Sequence, residues 1–210
     1  DYIYERGYRI NSILRGLRKA TVQDMMNLQN DNFNTRAHQI LPLIFETLDS
    51  MSLSGEEKEW LKLLKNWDKL NDAESEGATI YQTLMDSLEY NIWGDELRKS
   101  VIGVMPEHNT IVQDLMKNTN FKCVDNIFTP QKETFADQLK TSFVSILPAL
   151  NQMKKENKLR WGLHKGTCIP HLIDVKQNMT SLSRLELNVG GGEGIVNATK
   201  KSHGPSWKMI

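Results

Sequence analysis

The sequence predicts a mainly α-helical subdomain over residues 1–160, followed by a few β strands over residues 161–210. Two observations favour this fold class. In the first part, apolar residues recur at helical spacing behind recognisable N-cap residues. After Trp161 the chain changes to short β-prone pieces separated by polar turns. We expect these pieces to pair with further strands that lie outside this chain.

The amino-terminal region predicts two helices. Residues 4–17 place isoleucine and leucine side chains on one face of a first helix. Thr21 then has the character of an N-cap for a second helix, because Asp24 follows it three positions later and can complete a capping box. The chain is therefore expected to fold as helix, loop and helix up to about residue 30.

Two further helices are predicted before residue 70. Asn34 caps a third helix that runs to about residue 51, and Pro42 inside it is expected to produce a local kink. The stretch from Ser54 to Glu57 is a capping box for a fourth helix. Its tryptophan and leucine stripe is typical of a face that packs against a core.

The middle of the chain predicts two long helices. The pattern is helical over residues 75–104, with a break expected around Gly94. Thr129 and Pro130 are typical of an N-cap and a first helical position, so a second long helix is expected to begin there. Its apolar face should end near residues 154–157.

The last fifty residues predict short strands. Four pieces are rich in β-branched and other apolar residues: residues 167–172, 185–189, 195–199 and 207–210. Ile210 closes an apolar run without a turn or a polar tail after it. Since unmade ladder bonds would be exposed there, we interpret the sequence as a segment of a longer polypeptide.

Composition argues against several classes of partner. Twenty-six basic and 26 acidic residues give a formal net charge of zero, so no overall field favours nucleic acid or an anionic membrane. No apolar run approaches the roughly 20 residues that span a bilayer. We therefore expect no nucleic-acid and no membrane partner. Cys123 and Cys168 are too few for a disulfide framework, and we expect two buried free thiols.

One cluster of possible metal ligands and one serine are candidates for chemistry. His164, Cys168 and His171 offer three possible zinc ligands, but no nearby residue supplies a fourth, and strand alternation would send the two histidines to opposite faces. We therefore expect no metal there. Ser206 lacks the glycine two positions later and the following helix that a hydrolase nucleophile elbow requires. It is expected to be a structural strand residue.

The glycine-rich tail, residues 190–210, carries a more specific pattern. Three consecutive glycines precede Val196-Asn197-Ala198, and Gly204-Pro205-Ser206-Trp207-Lys208-Met209 follows. A phosphate-binding loop would need a helix after its glycines, whereas a strand is predicted here. This order resembles the late β segment of penicillin acylases, a family of N-terminal-nucleophile amide hydrolases.

Motifs in the helical part strengthen the resemblance. The family's R-I pair, T-x-x-D-M, L-Q-x-D and leucine-proline motifs are matched in order by Tyr8-Arg9-Ile10, Thr21-Val22-Gln23-Asp24-Met25, Leu28-Gln29-Asn30-Asp31 and Leu41-Pro42-Leu43. Further similarity lies in Leu64, Trp67-Asp68, Trp161-Gly162 and His164. The family's His-Pro pair is reversed here, as Pro170-His171. The resemblance covers almost the whole length.

The resemblance implies a segment of the β chain of an αββα N-terminal-nucleophile hydrolase that cleaves linear amides through a serine acyl-enzyme. Asp1 has no hydroxyl, and the resemblance implies that the nucleophile, the oxyanion-hole donors and any calcium ligands belong to sequence before residue 1. This segment alone should be inactive, without a cofactor or metal of its own. The implied partners are the remainder of the acylase and a small acyl-amide substrate, in the periplasm or outside the cell.

Arg9 is the candidate site residue. The resemblance implies that an arginine at the R-I position supports the oxyanion-hole asparagine and the charge that develops on the substrate carbonyl. The alternative is that Arg9 only pairs with a neighbouring carboxylate, as Arg6, Arg15 and Arg18 are expected to do at the solvated surface. A stand-alone helical interaction module without catalysis is the alternative function, and a serine at an upstream processing site would discriminate the two.

Overall fold

The computed structural model describes residues 5–99, 104–106, 108–171, 183–204 and 208. Within these ranges the chain is mainly helical. Its elements are α1 (Glu5–Gly16), α2 (Val22–Leu28), α3 (Thr35–Asp49), α4 (Gly55–Lys65), α5 (Glu76–Lys99), α6 (His108–Lys117), α7 (Phe135–Lys155), α8 (Trp161–Lys165), β1 (Thr167–Ile169) and β2 (Arg184–Leu187). The predicted fold class, mainly helix with a few strands, is confirmed. The αββα context of the intact protein stays a prediction.

The described elements belong to two compact units, each built from separate stretches of sequence. Unit 1 comprises Asp1–Thr35, Trp67–Thr79 and Glu156–Ile210, and unit 2 comprises Arg36–Asn66 and Ile80–Lys155. The sequence predicts a boundary at residue 160, between a helical subdomain and strands that join a sheet formed with other parts of the intact protein. This boundary stays a prediction. None of the described helices combines the length and hydropathy that a bilayer span requires.

Two helices begin at the capping boxes that the sequence predicts. At α2 the Asp24 N–H donates to Thr21 Oγ1 at 3.1 Å, and the Thr21 N–H donates to the Asp24 carboxylate at 2.9 Å. At α4 the same exchange joins Glu57 to Ser54, at 3.2 and 2.8 Å. Because Lys140 also donates to Glu57 at 2.5 Å, the pKa of Glu57 lies below its usual value. Each box satisfies N–H groups that the first helical turn leaves without partners.

The first and third helices also lie where the sequence predicts them. α1 begins and ends within one residue of the predicted range, and its apolar residues Ile10 and Ile13 are half-buried. α3 follows Asn34 directly and keeps Pro42 inside its span. These segments therefore follow their local sequence signals.

The helix break predicted around Gly94 is wrong, because α5 continues through this residue. A single glycine lowers helix stability by only about 1 kcal/mol relative to alanine. Contacts within unit 2 outweigh that loss. The Trp93 ring lies 5.7 Å from the Phe121 ring, and the buried Asp95 carboxylate accepts the Ile127 N–H at 2.7 Å.

The helix start predicted at residues 129–130 is also wrong. α7 begins after Thr134, whose Oγ1 accepts the Asp137 N–H at 3.3 Å while its own N–H donates to the Asp137 carboxylate at 2.9 Å. Thr129 has Lys132 three positions later and cannot form this reciprocal pair. Its hydroxyl instead donates to Glu133 at 2.6 Å within the preceding loop. The predicted end of the helix near residues 154–157 is confirmed.

The core of unit 2 is formed by the apolar faces of α3 to α7. Its largest fully buried side chains are Ile40, Leu41, Ile44, Leu48, Leu64, Ile80, Leu84, Leu88, Ile92, Ile111, Leu115 and Phe143. α4 packs against α7. α6 was not predicted from the sequence, although its apolar residues Ile111 and Leu115 are four positions apart, as on one face of a helix.

Unit 1 contains the two short strands. β1 and β2 pair antiparallel, with Thr167 opposite Leu187 and Ile169 opposite Arg184. The strands predicted at residues 167–172 and 185–189 are thus confirmed for the parts that lie in β1 and β2. The strand predicted at residues 207–210 lies outside the described residues except for Lys208, as does Ser206.

Residues 195–199 were predicted as a strand and form a compact turn instead. Ile195 and Val196 are buried, which accounts for the apolar pattern. The N–H groups, however, do not form a ladder with a neighbouring strand. The Ile195 N–H donates to Gly192 O at 3.4 Å, and the Asn197 N–H donates to Asp31 O at 3.0 Å. Tertiary burial, rather than strand pairing, selects these residue types.

Candidate functional site

Arg9 lies on α1 in unit 1 and is held by a carboxylate and an aromatic ring. Its Nε donates to the two oxygens of Asp31 at 3.1 and 3.2 Å, and its Nη2 donates to Asp31 Oδ2 at 2.7 Å. The guanidinium carbon lies over the Phe33 ring, 4.3 Å from the centroid. The exposed fraction of the side chain is 28% for Arg9 and 13% for Asp31. The ion pair between Arg9 and a neighbouring carboxylate, the alternative role predicted from the sequence, is therefore present. The oxyanion role of Arg9 stays a prediction.

The Arg9–Asp31 pair uses only one edge of the guanidinium. Arginine has five N–H donors, and the pair engages the Nε–H and an N–H of Nη2. In the described part of the chain, no acceptor is hydrogen-bonded to Nη1. The Nη1 edge of Arg9 can therefore donate to a group supplied from elsewhere in the intact protein.

The segment that carries Asp31 is fixed by backbone and amide contacts within unit 1. Asp31 Oδ1 accepts the Phe33 N–H at 2.9 Å, so the same carboxylate closes its own turn and holds Arg9. Asn32 O accepts the Asn71 N–H at 2.8 Å, and Asn32 Nδ2 donates to Asp72 Oδ1 at 2.7 Å. Asp31 is thus set in a loop that neighbouring backbone restrains.

The glycine-rich tail reaches this segment through Asn197. The Asn197 N–H donates to Asp31 O at 3.0 Å, and Asn197 Nδ2 donates to Asn32 Oδ1 at 2.8 Å. Gly191, at φ +81°, permits the approach, because a Cβ there would lie 2.1 Å from Asn197 O. The tail therefore contacts Asp31, which binds Arg9, and the adjacent Asn32.

Lys165, at the end of α8, fastens the glycine-rich tail. Its Nζ donates to Gly190 O at 2.8 Å, to Thr199 Oγ1 at 2.6 Å and, more weakly, to Gly191 O at 3.4 Å. Trp161 Nε1 donates to Gly191 O at 2.7 Å. Burial lowers the pKa of Lys165 to about 8. Because the three donors of the ammonium group have acceptors, we assign Lys165 a structural role.

The model of the penicillin amidase family matches residues 2–210. The chain belongs to the penicillin amidase family. Among curated proteins, none gives a significant match to it. Family membership supports an amidohydrolase-like function and the hydrolase class. The matched range includes Arg9, Asp31 and the glycine-rich tail.

In this penicillin amidase segment, the three possible zinc ligands, His164, Cys168 and His171, all lie in unit 1. The His164 ring lies 5.9 Å from the Trp161 ring, the Cys168 N–H donates to Lys201 O at 2.7 Å, and the His171 N–H donates to Ser183 Oγ at 2.9 Å. Among the described residues their side chains do not converge as a ligand group. The expectation that they bind no zinc stays a prediction.

One ligand group does occur in unit 2, formed by Asp86 and Glu89 of α5 with His108 of α6. His108 Nδ1 lies 2.6 Å from a Glu89 oxygen, and the hydrogen bond with Glu89 raises the pKa of His108. The buried Glu89 carboxylate is thus already partnered. The set does not fit the calcium that the family resemblance implies, because calcium takes oxygen ligands.

A second acidic group in unit 2 lies at the carboxyl-terminal part of α5. Burial, and then the adjacent Asp95, raise the pKa of Glu96 to about 7. Burial, and then Glu96, raise the pKa of the Cys123 thiol to about 11. Since the thiolate is the reactive form, this cysteine is not an activated nucleophile. Cys123 and Cys168 are both free thiols, as the sequence predicts, but both are half-buried and not buried.

Proposed function

We propose that the chain is a segment of an enzyme that cleaves linear acyl-amide bonds through an acyl-enzyme on an N-terminal serine. Family membership supports amide hydrolysis, and the resemblance locates the serine in sequence before residue 1. The observation that best supports a contribution from this segment is Arg9, held on one edge by Asp31 with its Nη1 edge left for another partner. The remainder of the acylase as partner, calcium in the intact enzyme and a periplasmic or secreted location are proposed on the resemblance alone.

The chemistry explains why a fixed arginine is useful. Attack of the serine hydroxyl on the amide carbonyl transfers the hydroxyl proton to a base and places negative charge on the carbonyl oxygen. A free α-amino group titrates near pH 8 and can accept that proton. Donors that act on charge present only in the transition state raise the turnover number most. The permanently charged guanidinium of Arg9 can support such a donor through its Nη1 edge.

The test uses the full-length protein that contains this chain, after maturation has been verified by mass spectrometry. Hydrolysis of a panel of N-acyl-4-nitroanilides, from acetyl and phenylacetyl to long-chain acyl groups, is measured for the parent, Arg9→Lys and Arg9→Ala. Lysine keeps the charge and loses the planar fork. We expect kcat to fall by at most about 10²–10³, the cost of losing a direct oxyanion donor, with KM nearly unchanged.

Two results would contradict the proposal in different ways. A mature parent protein that hydrolyses none of the anilides would favour the alternative, a helical interaction module without catalysis. A mature and equally stable Arg9→Lys variant with full activity would reduce Arg9 to a structural ion-pair partner. Thermal unfolding of each variant separates either result from simple loss of folding.

A further inference from the structure

We infer that Asp31 is the positioning residue of Arg9: by engaging the Nε and Nη2 edge, it determines which edge of the guanidinium is presented to the reaction centre. This inference rests on the proposed function. Asp31 itself touches no reacting atom in it. Its effect on catalysis passes through Arg9.

The side-on geometry of the pair is the first step of the argument. A carboxylate can bind a guanidinium side-on, through Nε and Nη2, or end-on, through Nη1 and Nη2. The end-on mode would engage one of the two Nη1 N–H groups. Asp31 binds side-on, at 3.1 and 2.7 Å to Nε and Nη2. The choice of mode therefore leaves the Nη1 edge of Arg9 uncommitted.

Phe33 supplies the restraint that a planar ion pair lacks. A carboxylate fixes a guanidinium within its plane, but rotation out of that plane costs little. The Phe33 ring lies 4.3 Å from the Arg9 guanidinium carbon and covers one face of it. Asp31 and Phe33 together restrain the Arg9 side chain before any partner binds to it. Arg9 therefore loses its rotamer freedom when the chain folds, and not at the moment of binding.

Asp31 is itself restrained through both its side-chain carboxylate and its backbone carbonyl. Its carboxylate accepts the Phe33 N–H at 2.9 Å, and its backbone carbonyl accepts the Asn197 N–H at 3.0 Å. The carboxylate therefore cannot follow a displaced arginine without breaking local hydrogen bonds. The glycine-rich tail, through Asn197, contributes to the position of Arg9 by the same contacts.

The sign of the effect separates positioning from a simple charge effect. Asp31 is negative and lies beside the cation that would stabilise a developing anion. If only the summed electrostatic field mattered, Asp31→Asn would increase the net positive charge and raise kcat. If Asp31 positions Arg9, the same substitution lowers kcat. The two accounts thus predict opposite changes.

The experiment compares Asp31→Asn with a matched control in the full-length mature protein. Asparagine keeps an oxygen that can accept the Phe33 N–H, but it removes the charge and replaces the second acceptor oxygen, which binds Arg9 Nη2, with an NH2 donor. The control is Asp49→Asn, because Asp49 is also an aspartate paired with a cation, accepting from Lys65 Nζ at 2.6 Å, but it is exposed and makes no described contact with Arg9 or with the Asp31 loop. We expect Asp31→Asn to lower kcat on the best anilide roughly tenfold, below the about 10²–10³ of direct donor loss, while Asp49→Asn leaves kcat unchanged.

A double variant and a spectroscopic measurement identify the route of the effect. In the Arg9→Lys background, Asp31→Asn should change kcat by no more than about twofold, since residues that act through one another are not additive. The Arg9 Nε–H resonance should be resolved and protected from exchange in ¹H–¹⁵N spectra of the parent. We expect that protection to be lost in Asp31→Asn and kept in Asp49→Asn.

The outcomes distinguish this inference from the function on which it rests. A parent without anilide hydrolysis refutes the proposed function. If Arg9→Lys lowers kcat and Asp31→Asn matches or exceeds the parent, the inference alone is wrong. If Asp31→Asn fails to fold, Asp31→Glu decides, because it keeps the charge and displaces the carboxylate by one methylene. An Asp31→Glu variant as active as the parent would overturn the positioning role.

Discussion

Gly191→Ala should destabilise unit 1 and displace the tail from Asp31. Gly191 has φ +81°, and a Cβ at this position would lie 2.1 Å from Asn197 O and 2.7 Å from Thr199 Oγ1. The nearest atom belongs to the backbone, so it cannot move aside as the end of a flexible side chain can. Relief of the clash requires the turn that carries Asn197 to shift.

The magnitude follows from two costs and one gain. A left-handed conformation costs an L-residue about 1–2 kcal/mol, and overpacking typically costs about 1–3 kcal/mol. Alanine also reduces the entropy of the unfolded chain, a gain of about 0.4–1 kcal/mol. The free energy of unfolding should therefore fall by roughly 1–5 kcal/mol.

Urea unfolding followed by circular dichroism and tryptophan fluorescence measures the change. Trp161 is suited to report it, because it is buried and its Nε1 donates to Gly191 O at 2.7 Å. The matched control is Gly7→Ala in α1 of the same unit, where a Cβ meets nothing within 4 Å. That control should gain up to about 1 kcal/mol from helix propensity. Equal stability of the two variants would refute the packing argument for Gly191.

Two further predictions concern pH. Burial lowers the pKa of Lys165 from 10.5 to about 8. Between those pH values the unfolded chain binds more protons than the folded chain, so the contribution of Lys165 to the free energy of unfolding rises with pH. In urea titrations at pH 7.5 and 9.5, Lys165→Met should remove this rise, and an unchanged rise would contradict the argument. The pKa of His108 is raised by Glu89, with Asp86 adding to and Arg36 opposing the shift, so its stabilisation is complete below pH 6.5 and is lost as pH rises through the folded pKa. His108→Gln should therefore destabilise unit 2 more at pH 5.5 than at pH 8.5, and an equal loss at both would exclude the ion pair as its cause.

Helix starts could be predicted where the signal is local and reciprocal. Thr21 with Asp24, and Ser54 with Glu57, each need only residues three positions apart. The Thr-Pro pair at residues 129–130 has an N-cap residue but no acid three positions later, and the helix start predicted there is wrong. The complete pair, Thr134 with Asp137, lies five residues later. A cap that lacks its reciprocal acid is a weaker predictor than one that has it.

The tail and the site could not be predicted from local pattern. Ile195 and Val196 are β-prone and buried, yet their segment bonds to Asp31 instead of to a strand. Arg9 was identified only by the family resemblance. Asp31 lies in a quoted motif, Leu28 to Asp31, but its contact with Arg9 spans 22 residues and depends on how the loops between α1 and α3 fold. Such a pairing needs three-dimensional structure.

The discontinuity of unit 1 has a consequence for the order of folding. The Arg9–Asp31 pair closes a loop of 22 residues and can form early. The contact between Asn32 and Asn197 spans 165 residues, so its closure entropy is larger and it must wait for later synthesis. At roughly 5–20 residues per second, that wait is on the order of ten to thirty seconds.

During that interval the residues of unit 2, all of which lie between Asn32 and Asn197 in sequence, are already made. Unit 2 has its own core and can fold first. The loop around Asp31 then remains without its tail until residues 190–199 emerge, and the Asp31 carbonyl and the Asn32 side-chain oxygen lack their Asn197 donors until then. Unit 1 is therefore the part of the chain whose folding completes last, and a ribosome that stalls before residue 190 would leave Arg9 paired and its loop held by Asn71 and Asp72 but without its contacts to Asn197.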